Sequence, residues 1–299
     1  ILAKALDDAA PAGIAGDIQH GRKSPMNADI RGLRGGNFVG LLHGDRLVLM
    51  AETREGACFF PPLGPPPRSG LCRELLLFLA EEKKAQDPRI VRADRRLADE
   101  IGDAADLEAT HTPDQDDYVY LKEDLCRLAG RRYHAKRNHL NRFRELYPFE
   151  YRKVGPDQAA ECVRMAEWWC QWKDCEENDD LMAEMQAIRE LMSLVDVLEI
   201  QAGAVWVGGR MEAFTVGERI GEDTAVIHIE KANPQIPQLY TVINQQFCEY
   251  TWHEVAYINR EQDLGKPGLK KAKMSYYPHH FVQKFEIRPR RPEADPHGG

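Results

Sequence analysis

The stretch from Ala225 to Tyr277 holds side chains suited to proton transfer and anion binding. Along Thr224–Lys231 the residues alternate as in a strand, which predicts His228 and Glu230 on one face and Lys231 on the other. An imidazole and a carboxylate on one face can act as orienter and base toward an incoming nucleophile. The alternative is a polar pair buried in the sheet or solvated on its surface. Next, Asn259, Arg260, Glu261 and Asp263 crowd the loop after the apolar run Val255–Ile258. Open sheets place ligands at strand ends, although a capped polar loop has the same composition. Pro267 and Gly268 then open a helix carrying Lys270, Lys271 and Lys273. Free N–H groups at a helix start bind phosphate, so this is either a site for a nucleotide or CoA pyrophosphate or a basic surface helix. Tyr276 or Tyr277, just beyond, is either a proton donor to a leaving group or part of the core or cleft lining.

A second concentration of charge lies upstream. Arg127, Arg131, Arg132, Lys136, Arg137, Arg142 and Arg144 occur with no acid between Asp124 and Glu145, and His134 and His139 are interleaved. Such a helix suits RNA phosphates, a CoA tail or a lipid headgroup. It equally suits a solvated face paired with acidic neighbours.

These groups need strands and helices to hold them. Two short strands are predicted within Asn37–Met50 around a Gly44-Asp45 turn, and a third at Cys58–Phe60. The proline-rich run Pro61–Gly70 cannot be helix interior or central strand. A helix over Leu71–Ala85 and a short strand at Ile90-Val91 follow. Ala98–Asp117, acidic and poor in large apolar residues, reads as a loop and domain junction. Leu121, Leu125 and Leu128 form a helical stripe ending at Gly130, and the basic helix spans Arg131–Tyr147 with Tyr133, Leu140, Phe143 and Tyr147 near one face. Two more helices are marked by Cys162, Val163, Ala166, Trp169 and Cys170 and by Leu181, Met185, Ile188 and Met192. Extended segments at Val197–Gln201, Ala204–Val207, Glu212–Arg219 and Thr224–Lys231 make an antiparallel meander, with a Gly208-Gly209 hairpin turn. A helix over Pro237–Tyr250, a strand at Val255–Asn259, a helix over Gly268–Tyr276 and a strand over Phe281–Ile287 complete the chain.

Composition bounds the answer. At roughly 150 residues per domain, 299 residues predict about two domains. Hydrophobic residues at 43% and charged residues at 29% are those of a globular protein, which excludes collagen-like and wholly disordered chains. The longest strongly apolar run, Leu75–Ala80, is far short of the roughly 20 residues that span a bilayer, so no integral membrane segment is expected. The net charge of -8 gives no global attraction to nucleic acid or anionic lipid. The seven cysteines are scattered, without a CxxC pair, and read as free thiols of a cytoplasmic protein. His279-His280 lacks a third ligand, so no metal is expected.

Several stretches in order resemble a known family: Asp117–Leu121, Tyr133–His139 with Phe143, Glu184–Ile188, Ala213–Glu218, His228–Ala232, Tyr240–Phe247, Ile258–Gly265, Gly268–Lys273 and Ser275-Tyr276. Over about residues 115 to 287 the chain is similar to the bacterial DUF2156 family, related to the C-terminal catalytic domain of phosphatidylglycerol lysyltransferase. The resemblance implies an α+β, tandem GNAT-like acyl-CoA N-acyltransferase fold, a mixed, mostly antiparallel sheet flanked by helices. Residues 1–115 would form a degenerate GNAT-like domain and 116–299 the domain carrying the site. It further implies acyl or aminoacyl transfer from acyl-CoA or aminoacyl-tRNA to an amine or hydroxyl, with no covalently bound cofactor. Glu230, helped by His228, would deprotonate the acceptor. Backbone N–H groups at the splayed strands would stabilise the oxyanion, and Tyr276 would protonate the leaving group. Asn259, Arg260, Glu261, Asp263, Lys271, Lys273, Lys136, Arg137 and Asn138 would bind the donor, with Arg131–Arg144 steering a tRNA acceptor stem. One departure matters. Where acetyl-CoA enzymes carry a Gly-rich pyrophosphate loop, Ala232–Gln238 has no glycine, which favours another donor. It also leaves room for a non-catalytic module that binds an anionic metabolite or RNA.

Overall fold

The computed structural model describes residues 38–53, 55–173 and 179–290. In chain order the elements are β1 (Phe38–His43), β2 (Arg46–Thr53), β3 (Gly56–Phe59), α1 (Ser69–Glu81), β4 (Ile90–Ala93), α2 (Arg95–Gly102) and β5 (Leu107–His111). Then come β6 (Asp117–Leu121), α3 (Lys122–Arg127), α4 (His134–Leu146), β7 (Phe149–Val154), α5 (Ala159–Trp172), α6 (Asp179–Ser193), β8 (Ile200–Val207), β9 (Arg210–Ile220) and β10 (Thr224–Ala232). The last are α7 (Leu239–Tyr250), β11 (Tyr257–Asn259), α8 (Pro267–Met274), β12 (His280–Val282) and β13 (Phe285–Pro289).

Two sheets organise these elements. One is six-stranded, in the order β1-β2-β3-β4-β13-β5, and the other seven-stranded, in the order β12-β6-β11-β10-β9-β8-β7. Both are mixed and flanked by helices, so the expected α+β, tandem GNAT-like fold is the fold observed. Among the described residues, the first compact unit comprises the residues up to Asp116 together with those from Val282, and the second comprises Asp117–Phe281. The last strand, β13, therefore does not stay with residues 116–299. It pairs with β4 and β5, because Phe285 and Ile287 are needed to fill the core beneath α1 and α2.

The first unit departs from expectation at Ala98–Asp117. That span contains most of α2 and all of β5. Asp94 caps α2 by accepting a hydrogen bond from the Leu97 N–H at 2.9 Å, and Leu97, Ala98 and Ile101 are buried. Three well-spaced apolar side chains suffice for a two-turn helix, whatever the acidity of its outer face.

The seven-stranded sheet carries a core on each face. On one face α3, α4 and α7 pack Leu125, Leu140, Phe143, Val242, Ile243 and Phe247 against it. On the other, α5 and α6 contribute Cys162, Met165, Met185, Ile188 and Met192. Three local readings change. Leu121 ends strand β6 rather than starting a helix, β7 is an additional edge strand, and Phe281–Ile287 is two strands in two sheets. Edge and short strands lack the long alternation that periodicity detects. One thiol also departs from expectation: Cys170 is disulfide-bonded. Cys58, Cys72, Cys126, Cys162 and Cys248 are free.

Candidate functional site

The site is built on an irregularity in β10. From Thr224 to Ile227 this strand opposes Ile220 to Gly217 of β9, but Ile229 then opposes Val216. One extra residue is accommodated, and that reverses which face each later side chain takes. Ile227 accordingly packs in the core under α7, and Ile229 in the core under α5 and α6. Gly217 allows the strands to approach here, since a Cβ at that position would collide with the Val226 carbonyl oxygen.

A second irregularity opens a wedge. β10 and β11 run parallel and pair only from Thr224/Tyr257 to Val226/Asn259. Beyond that point β10 continues to Ala232 without β11 beside it. Arg260, the residue after β11, donates from Nη2 to Glu230 Oε1 at 2.9 Å. Asn244 of α7 donates from Nδ2 to Glu230 Oε2 at 3.1 Å. The Glu230 and Arg260 side chains are each only 13% exposed. The guanidinium lies 5.1 Å from the Tyr276 ring centroid and 5.9 Å from that of Tyr120. From α4, Lys136 sets its ammonium 3.9 Å from the Tyr276 ring centroid.

Among the described residues, two buried atoms of this cluster have no hydrogen-bond partner: Arg260 Nη1, a donor, and Asn244 Oδ1, an acceptor. Leaving such a group unmade costs about 1–3 kcal/mol, which a fold tolerates where a ligand supplies the partner. The surrounding pKa values are displaced. Burial, aided by the Arg260 charge and opposed by Glu230, lowers Lys136 to about 8. Burial raises Tyr276 to about 12 against the Arg260 charge, and Thr241 hydrogen-bonds to its side chain. Burial works against the Arg260 charge, but Glu230 more than restores it. The cluster thus offers a carboxylate, two cations, a protonated phenol, a free donor and a free acceptor.

Of the residues expected here, Glu230, Arg260, Tyr276 and Lys136 converge. His228 does not. Its Nε2 lies 3.0 Å from Glu218 and its Nδ1 2.8 Å from Glu261. Glu218 pairs with Val226, on the face opposite Glu230, so the expected shared face of His228 and Glu230 is lost to the bulge. Burial would lower the imidazole pKa, but Glu261 and Glu218 outweigh it and raise it. Lys231 sits on the face of α5 and α6, 2.8 Å from Glu184 and 3.7 Å from the Trp169 ring centroid, in a crevice lined also by Met185 and Ile188.

Other expected donor ligands shape the loop. Asn259 Nδ2 donates to Asp117, and its Oδ1 accepts from the Glu261 N–H at 2.7 Å. Asp263 accepts from the Tyr118 hydroxyl at 2.5 Å and the Gly265 N–H at 2.8 Å. Lys273 directs its ammonium to the carbonyls of Arg260, Glu261 and Gln262 at 2.5, 3.0 and 2.6 Å. An ammonium has three donors, so Lys273 has none left for a phosphate. Lys271 is exposed on α8. Arg137 donates to the Leu128 and Gly130 carbonyls beyond α3, and Asn138 is exposed on α4 next to His134. On the basic surface Arg127 pairs with Glu123 and Arg132 with Asp124.

Asn244, Glu218 and Tyr120 went unrecognised as site residues. Each lies inside a stretch that carries the family resemblance, which was the available signal.

Comparison with known proteins agrees with this architecture. The family model described as phosphatidylglycerol lysyltransferase, C-terminal, matches residues 33–288, taking in the first unit as well as the second. A conserved protein of unknown function from Bacteroides thetaiotaomicron is 31% identical, with 85% of this chain and 86% of that chain covered and a TM-score of 0.77. The structure of L-PGS from Bacillus licheniformis is 14% identical, with 86% and 85% covered and a TM-score of 0.58, a likeness of fold. No curated protein matches the chain. Among the described residues no helix is long and apolar enough to cross a membrane.

Proposed function

The chain belongs to the phosphatidylglycerol lysyltransferase C-terminal family, and from that membership we propose that it transfers an aminoacyl group from an ester donor to an amine or hydroxyl acceptor. The observation that carries this reading is the pairing of opposite hydrogen-bonding needs in the wedge. Arg260 Nη1 seeks an acceptor, and Asn244 Oδ1, beside the Glu230 carboxylate, seeks a donor. The acetyl group of a thioester brings a carbonyl oxygen but no N–H of its own. An aminoacyl ester brings both, with its carbonyl toward Arg260 and its ammonium toward Asn244 and Glu230. The absence of glycine from Ala232–Gln238 also supports a donor other than acetyl-CoA.

In this reading Glu230 takes the acceptor's proton and Tyr276, holding its own proton at neutral pH, gives one to the leaving oxygen. The exposed cations Arg131, Arg142 and Arg144 attract the phosphates of a tRNA acceptor stem. The test is a panel of aminoacyl-tRNAs and acyl-CoAs, each incubated with the protein and a set of amines and glycerol lipids. Acceptor-dependent loss of aminoacyl ester, with thioesters untouched, is the expected result. Turnover of acyl-CoA alone would overturn the choice of donor.

One observation favours a second reading. Both Glu230 oxygens are already bonded, to Arg260 and Asn244, which suits binding better than proton transfer. A non-catalytic module for an anionic metabolite or RNA would then be protected by its ligand with no product from any donor.

A further inference from the structure

The geometry points to Lys136 as a catalytic residue that forms, with the free Nη1 of Arg260, the binding site for the oxyanion of the transferred carbonyl. This deepens the reading above and rests on it for the identity of the carbonyl. Backbone N–H groups at the splayed strands are the donors expected from sequence, and the wedge presents side-chain cations in addition.

Three observations converge. Lys136 comes from α4 and Arg260 from the end of β11, yet both cations lie against the same Tyr276 ring, at 3.9 and 5.1 Å from its centroid. Arg260 is anchored through Nη2 on Glu230, so its buried Nη1 is held in place and unsatisfied. The charges facing Lys136 are Arg260 from the loop after β11 and Glu230 from β10, with His139 on its own helix. Two cations against one carboxylate leave a net positive charge where a negative one must develop. Fixed donors aimed at developing charge in a water-poor site are a large source of rate enhancement.

The chemistry balances without another reagent. The acceptor nitrogen or oxygen forms its bond to the carbonyl carbon as its proton passes to Glu230. The carbonyl oxygen, now anionic, sits between the Lys136 ammonium and Arg260 Nη1. Collapse of the tetrahedral species breaks the ester C–O bond, and the leaving oxygen takes a proton from Tyr276. The proton on Glu230 returns the phenol to its starting state.

The test uses an α-aminophosphonate, a stable tetrahedral anion, as a calorimetric probe for the whole protein. Wild type is expected to bind it, and K136M to bind it at least tenfold more weakly. K136R is expected to bind like wild type near neutrality. Burial lowers Lys136 to about 8, so wild type should lose affinity relative to K136R as pH rises through about 8, since arginine keeps its charge. Equal binding by wild type and K136M, an unchanging K136R-to-wild-type ratio across that range, or no binding by wild type overturns the assignment. In transfer assays K136M should lower kcat about 10²-fold with KM little changed, and an unchanged kcat overturns the catalytic role. If phosphonate binding follows Lys136 while no donor is turned over, the anion site stands and the transferase reading falls.

Discussion

His228 and Glu230, two residues apart on β10, point to opposite faces of the seven-stranded sheet, because the strand takes up one extra residue between Ile227 and Ile229. Glu230 enters the wedge with Arg260, whereas His228 joins Glu218 of β9 to Glu261 of the loop after β11. His228 is therefore a clamp on the loop that presents Arg260, and its protonation couples to stability.

The sign of that coupling follows from its partners. Burial disfavours the imidazolium, but Glu261 and Glu218 outweigh it and raise the folded-state pKa. The stabilising contribution is complete below the unfolded histidine pKa of about 6.5 and is lost as pH rises through the folded value. Melting curves of wild type and His228→Gln should differ most near pH 6 and converge at alkaline pH. A constant difference would show that the charge on His228 does not contribute.

Arg260→Met should destabilise the second unit strongly. Glu230 would keep Asn244 and the Lys136 charge but lose its hydrogen-bonded counter-ion in a setting where both side chains are 13% exposed. Removing one partner of a buried ion pair costs about 3–5 kcal/mol. Urea denaturation measures this, and a loss below about 1 kcal/mol would mean the pair is effectively solvated.

Lys273→Met should loosen the loop rather than weaken donor binding. The three carbonyls of Arg260, Glu261 and Gln262 would lose their shared donor. Hydrogen exchange of the amides in residues 260–265 is expected to accelerate at least tenfold. Unchanged exchange together with weaker donor affinity would assign Lys273 to the donor after all.

Tyr276→Phe separates chemistry from packing. The ring stays beneath Lys136 and Arg260, and only the hydroxyl and its hydrogen bond with Thr241 go, at a cost of about 1 kcal/mol. Transfer is expected to fall by about 10²-fold or more if the phenol is the acid. Equal rates with an equal melting temperature would leave Tyr276 as a platform alone.

The seven-stranded sheet was largely legible in the sequence because each element carries its own signal. Gly208-Gly209 marks the hairpin between β8 and β9, and Met185, Ile188 and Met192 recur at helical spacing in α6. The site residues Glu230, Arg260, Tyr276 and Lys136 were named from residue type and motif. Their convergence was not legible, since four elements far apart in the chain supply them. Strand alternation assumes an unbroken register, and the bulge at His228 breaks it by a backbone accommodation opposite Gly217 that side-chain patterning does not reveal. The role of Lys273 was likewise hidden. A lysine on a short helix reads as surface charge, and only the path of the loop over it turns its ammonium toward three carbonyls. Sequence determined which chemical groups were present and which elements carried them. Tertiary structure decided which groups meet, because strand register and loop path are set by packing between distant segments.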